Sequence, residues 1–120
     1  TMANVCDYSV ISDSSFDLDS KTALVTFTKT LEGTPVSGEG AMLMWKECRL
    51  GDAGSVNYDL SINGTSVGNF AASVKDNHSV HEVFDTSVLG NDKDIVITFT
   101  RTSPGSIKLS DVVLMFRQVA

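Results

Sequence analysis

Along much of this chain apolar and polar positions take turns at every second residue. Ala23, Val25 and Phe27 alternate with Leu24, Thr26 and Thr28, and Val56, Tyr58, Leu60 and Ile62 alternate with Asn57, Asp59, Ser61 and Asn63. Ile95, Ile97 and Phe99 repeat the pattern against Val96, Thr98 and Thr100, and Val112, Leu114 and Phe116 repeat it near the end. Side chains of an extended chain point alternately to its two faces, so each run predicts a strand with one apolar face. The Val, Ile and Thr that crowd these runs suit a pleated, half-buried surface. No segment predicts an amphipathic helix; Thr86–Leu89 predicts one short turn.

Turn chemistry falls between the runs. Asn63-Gly64 separates Val56–Ile62 from residues 65–70 and predicts a two-residue hairpin, because both residues tolerate positive φ. Ser103-Pro104-Gly105 separates residues 95–101 from 107–116. Gly33-Thr34-Pro35, Gly51-Asp52-Ala53-Gly54 and Gly90-Asn91-Asp92 are further breaks. About eight short strands follow, at the spacing of a sandwich or barrel. Without helices, the apolar faces of antiparallel sheets must cover one another. The fold expected is all-β: a two-sheet antiparallel β-sandwich of jelly-roll topology, with residues 1–120 as one domain. An immunoglobulin-like sandwich is the alternative, although Trp45 lies just before Cys48 rather than midway between Cys6 and Cys48.

Composition narrows the function classes. The 120 residues are 42% hydrophobic, enough to fold around a core without a metal or disulfide staple. Nine Lys and Arg against 15 Asp and Glu give a net charge of −6, which disfavours nucleic acid as a partner. No apolar run reaches the ~18–20 residues of a membrane span, so no membrane insertion is expected. Residues 1–5 show neither a basic n-region nor an apolar h-region, so no signal peptide is expected. An extracellular or virion-associated location by another route is the expectation that remains.

Catalysis is disfavoured. There is no Gly-x-Ser-x-Gly elbow, and Ser55 and Ser106 have no His nearby in sequence. His78 and His81 are three apart and do not share a strand face. Glu47 and Glu82 are candidates for a glycosidase pair, with nothing marking either as a buried acid. Cys6 and Cys48 would close a long loop if bridged, worth ~3–4 kcal/mol; two separate buried thiols are the alternative.

Two stretches carry binding chemistry. Residues 12–20 hold Asp13, Asp17 and Asp19 among serines, and with Asp111 these offer oxygen ligands to a structural calcium. A solvated acidic loop is the competing reading, since the glycine and terminal glutamate of an EF-hand are missing. For sugars, an exposed aromatic ring stacks on the apolar face of a pyranose while polar groups bond its hydroxyls. Trp45, the sole tryptophan, is the candidate platform, with Arg49, Asp52 and His78 as ligand-binding residues and Lys46 and Arg117 as further polar partners. Core filling is the competing reading of Trp45. Two N-glycosylation sequons, at Asn63 and Asn77, occur readily by chance in a chain so rich in Ser, Thr and Asn.

The C-terminal half carries a family pattern: Ile62-Asn63-Gly64, Val83-Phe84-Asp85, Val88-Leu89-Gly90, the strand around Asp94, Ile95, Ile97 and Phe99, and Ile107 through Asp111 to Leu114. It resembles the closing strands of galactose-binding-like jelly-roll domains of the carbohydrate-binding-module type, over about half the chain. The resemblance implies sugar binding at loops or on the concave sheet. It also implies a structural calcium on the aspartate of the last strand, here Asp111. The N-terminal glutamates that share that ion are absent, leaving Asp7, Asp13 and Asp17 as substitutes. The function expected is a non-catalytic binding module with a glycan ligand. A structural subunit of a virion, phage tail or surface assembly is the alternative, a homo-oligomer with Thr26, Thr28, Thr98 and Thr100 lining a subunit interface.

Overall fold

Each alternating run becomes a strand in the computed structural model, which describes residues 4–51, 54–90 and 94–119. The strands are β1 (Asn4–Leu18), β2 (Leu24–Thr30), β3 (Gly40–Leu50), β4 (Val56–Ile62), β5 (Thr65–Ala72), β6 (His78–Asp85), β7 (Asp94–Arg101) and β8 (Ser106–Val119). One 3₁₀ turn, Thr86–Leu89, links β6 to β7. The β4–β5 hairpin closes through Asn63 at φ 53° and Gly64 at φ 81°, the conformation that Asn-Gly tolerates and most residues do not.

The strands form two four-stranded sheets, ordered β1-β8-β3-β6 (sheet A) and β2-β7-β4-β5 (sheet B). First pairs with last, second with seventh, third with sixth and fourth with fifth, all antiparallel. That is one long hairpin rolled up, with β8–β3 and β7–β4 closing each sheet. The result is a jelly-roll β-sandwich, and the immunoglobulin-like order is excluded.

The inner faces make the core. From β3 come Leu43 and Trp45, from β4 Tyr58 and Leu60, and from β7 Ile97 and Phe99, all buried. Trp45 packs edge-on against Phe70 and Phe99, with ring centroids 4.9 and 5.4 Å away, an arrangement worth ~0.5–1.5 kcal/mol per pair beyond burial. β8 changes phase midway: Ile107 and Leu109 point inward, and then Val112, Leu114 and Phe116 do. The change is made at Asp111, whose φ of 55° marks a bulge facing register breaks on both neighbouring strands. One expectation fails here and one open alternative closes. Ser12 to Leu18 is the end of β1, not a loop, because Phe16 and Leu18 turn inward and anchor it to β8. The cysteines do not bridge, since Cys6 lies opposite Arg117 and Cys48 opposite Lys108, nine residues and ~30 Å apart along β8; nor are they two buried thiols, for Cys6 is exposed and Cys48 half-buried.

Candidate functional site

The two outer faces differ in chemistry. On sheet B, Thr26, Thr98, Ser61 and Ser66 form one cross-strand row, and Thr100, Asp59 and Asn69 lie in the next. Thr26 and Thr98 hydroxyls meet at 3.2 Å. On sheet A the row Tyr8, Met115, Met42, Val83 runs across all four strands, with Val10, Val113, Met44 and His81 beside it. Tyr8, Val10, Met44 and Val83 are exposed there. The outer face of sheet A is thus the more apolar of the two.

Tyr8 also borders a cleft of about 350 Å³, lined with Asp7, Lys29, Thr30, Glu32 and Gln118 among others. It opens where the edge strand of sheet A, β1, stands beside the edge strand of sheet B, β2. Its polar wall is held in place. Gln118 Nε2 donates to Asp7 Oδ2 at 2.9 Å, and Asp7 Oδ1 accepts the Tyr8 N–H at 2.8 Å. Gln118 Oε1 is buried with no hydrogen-bond partner. Gly33 makes room for that amide: a Cβ at Gly33 would collide with Gln118 Oε1. Tyr8, 66% exposed with its side chain in the outer-face row of Met115, thus borders a cleft whose lining also includes two carboxylates, an amide and an ammonium. A second hollow on sheet B is lined by Asn57, Asp59, Asn69 and Thr102. Its aromatic neighbour, Phe70, has its ring committed to Trp45.

The residues chosen from sequence do not converge. Trp45 is 2% exposed and offers no face to a ligand, because it continues the inward phase of Ala41 and Leu43. Its Nε1 donates to the Tyr58 hydroxyl at 2.9 Å, which in turn donates to Glu47 Oε1 inside the sandwich. Burial, and then the bond to Glu47, push the Tyr58 phenol well above its ordinary range. Arg49 braces its own loop, with Nη1 donating to Gly54 O at 3.3 Å, while its Nε is buried without a partner. His78 is exposed at the start of β6, and Asp52 lies outside the described residues. Lys46 and Arg117 are engaged at long range with Asp111 and Glu39.

The calcium set is not assembled either. Asp13 and Asp17 are exposed along β1, and Asp17 faces Lys108. Asp19 is consumed by its turn, accepting from Thr22 N at 2.8 Å and Lys21 N at 2.9 Å, which hold its carboxyl below the usual range. Asp111 is exposed 3.6 Å from Lys46 Nζ. Among the described residues, no three His, Cys, Asp or Glu side chains gather as a metal would require. Glu47 and Glu82 are also apart: Glu82 pairs with Leu43, four residues along β3 from Glu47. That is ~13 Å of strand, beyond the ~9.5 Å of an inverting glycosidase pair. Tyr8 is the residue that sequence reading missed.

No family model and no curated protein matches the sequence. Solved structures share its fold. Dimeric latent PorU from Porphyromonas gingivalis matches with a TM-score of 0.71 at 10% identity, over 97% of this chain and 13% of that one. This chain therefore spans about an eighth of PorU. The CBM36-1 domain of a multidomain xylanase from the hindgut metagenome of Trinervitermes trinervoides matches with a TM-score of 0.58 at 10% identity, over 92% of this chain and 96% of that domain. The C-terminal CBM6 of LamC, a marine laminarinase from Zobellia galactanivorans, gives 0.56 at 8% identity, over 92% and 99%. At such identities the likeness is one of fold.

Proposed function

We propose that this chain is a non-catalytic carbohydrate-binding module of the galactose-binding-like kind, which takes its ligand in the cleft beside Tyr8. The exposed Tyr8, which borders that cleft, carries the reading. Its face stacks on the apolar side of a pyranose, while Asp7, Gln118, Lys29 and Glu32 bond the hydroxyls. Two carboxylates against one ammonium in the lining, on a chain of net charge −6, favour neutral glycans over uronates or sulfated sugars. The CBM36-1 and CBM6 neighbours support the reading, because each matches as a nearly whole domain of similar extent. The spacing of Glu47 and Glu82 speaks against hydrolysis. An extracellular location accompanies this reading and rests on it. A virion or tail subunit draws no support from these neighbours.

The test is a glycan array of neutral and acidic oligosaccharides, probed with the wild type and with Tyr8→Ala. Signal on neutral sugars that Tyr8→Ala abolishes is the expected result. No signal, or signal indifferent to Tyr8, counts against the assignment.

A further inference from the structure

We infer that β6 is a self-association edge, at which two copies of this chain join their A sheets antiparallel about a two-fold axis. β6 ends sheet A, and its pairing with β3 runs unbroken from Gly40↔Asp85 to Glu47↔His78. Sheet edges are ordinarily blunted by charged side chains (above all Lys), by Pro or by bulges. The sequence HSVHEVFD has neither Pro nor Lys and its register has no bulge; its charges are Glu82, on the inner face with Leu43, and Asp85 at its end. The other edges are protected: β1 is broken twice, β5 once, and β2 carries Lys29. Val83, in the second half of β6, is 62% exposed at the end of the apolar row Tyr8, Met115, Met42, Val83.

The register follows from symmetry and charge. A two-fold perpendicular to the sheet keeps each face on its own side, and residues directly opposite share a face. The axis must therefore pass where a residue meets its own copy. Centred on Glu82 it sets carboxylate against carboxylate, and centred on His81 it sets imidazole against imidazole. Centred on Val80 or Phe84 it leaves Val83 facing the partner's Asn77 or the partner's Asp85. Centred on Val83 it covers the exposed isopropyl groups with one another. It also sets His81 opposite the partner's Asp85, twice over by symmetry. Asp85 Oδ1 already accepts the Ser87 N–H at 2.8 Å, and a carboxylate has further lone pairs for an imidazole N–H. The apolar row then continues from Val83 into the partner's Val83 and the partner's Met42. One strand edge buries less than the ~1,600 Å² of a standard interface, so the dimer is weak and concentration-dependent. None of this rests on the glycan reading.

Sedimentation equilibrium from about 10 μM to 1 mM tests it. The expected mass climbs from 12.8 kDa towards twice that value. Val83→Lys, which sets two ammonium groups together at an exposed position, holds the mass at 12.8 kDa with an unchanged circular dichroism spectrum. His81→Asp weakens the dimer and His81→Lys retains it. A mass of 12.8 kDa at every concentration overturns the inference. So does a dimer that survives Val83→Lys, or one lost with Tyr8→Ser and untouched at Val83, which moves the contact to the outer face.

Discussion

Trp45 Nε1 donates to the Tyr58 hydroxyl at 2.9 Å, and this bond ties β3 of one sheet to β4 of the other through the middle of the core. The hydroxyl passes the chain on to the buried Glu47. An apolar sandwich interior tolerates these three polar groups because each satisfies the next. Tyr58→Phe leaves both the indole N–H and the Glu47 oxygen without their partner. It is expected to cost roughly 1–3 kcal/mol in urea unfolding and to shift Trp45 emission. Glu47→Gln, which keeps an acceptor, is expected to cost less.

The same hydroxyl sets the alkaline limb. A tyrosine in the unfolded chain ionises near pH ~10, whereas folded Tyr58 holds its proton above that. Above pH ~10 the unfolded state therefore binds fewer protons than the folded one, and stability falls as pH rises. Below pH ~10 the group contributes no slope. The melting temperature is expected to drop between about pH 10 and 11 in the wild type. In Tyr58→Phe that part of the drop disappears.

Asn63 does more than supply positive φ to a turn. Its Nδ2 donates to Val88 O and Leu89 O at 3.1 Å each, and its Oδ1 accepts from Val96 N at 2.9 Å. One side chain thus pins the β4–β5 hairpin to the 3₁₀ turn and to β7. Asn63→Ala removes three bonds and leaves a Cβ residue at φ 53°; a loss of roughly 2–4 kcal/mol is expected by chemical denaturation. Asn63→Gly, which accepts that backbone, is expected to lose less.

Gly33 lets the cleft wall form. A methyl group there collides with the end of the Gln118 side chain and drives the amide off Asp7. Because Gln118 can swing away, Gly33→Ala is expected to change stability by about 1 kcal/mol or less. Its effect on glycan affinity should be larger, about tenfold, measured by calorimetry beside the melting temperature.

Much of the fold is legible in the sequence because one physical signal dominates it. Val56, Tyr58, Leu60 and Ile62 turn inward without interruption, and β4 has the bounds their alternation predicts. Asn63-Gly64 and Thr86–Leu89 fall where turn chemistry puts them. Alternation fails as a guide where bulges reset it. β1 slips register twice opposite Asp111, so residues 12–18 read as a polar loop although they pair with β8. Tyr8 lies on that irregular strand, flanked by Asp7 and Ser9, and no periodicity sets it apart. Its exposure comes from lying on the outer face of an edge strand. Its cleft comes from β2, Glu32 and Gln118, which only the rolled topology brings beside it. Trp45 shares its strand phase with Leu43, which placed core filling among its readings, and the core is where it lies.

The measurement closest to the central claim is a calorimetric titration of the bare chain with whichever neutral oligosaccharide gives the strongest array signal, repeated on Tyr8→Ala. The ring is solvent-facing, so its removal should leave unfolding unchanged while weakening binding at least tenfold, roughly 1.4 kcal/mol. Equal affinity in the two proteins, with the fold intact in both, contradicts a sugar site at the β1–β2 cleft.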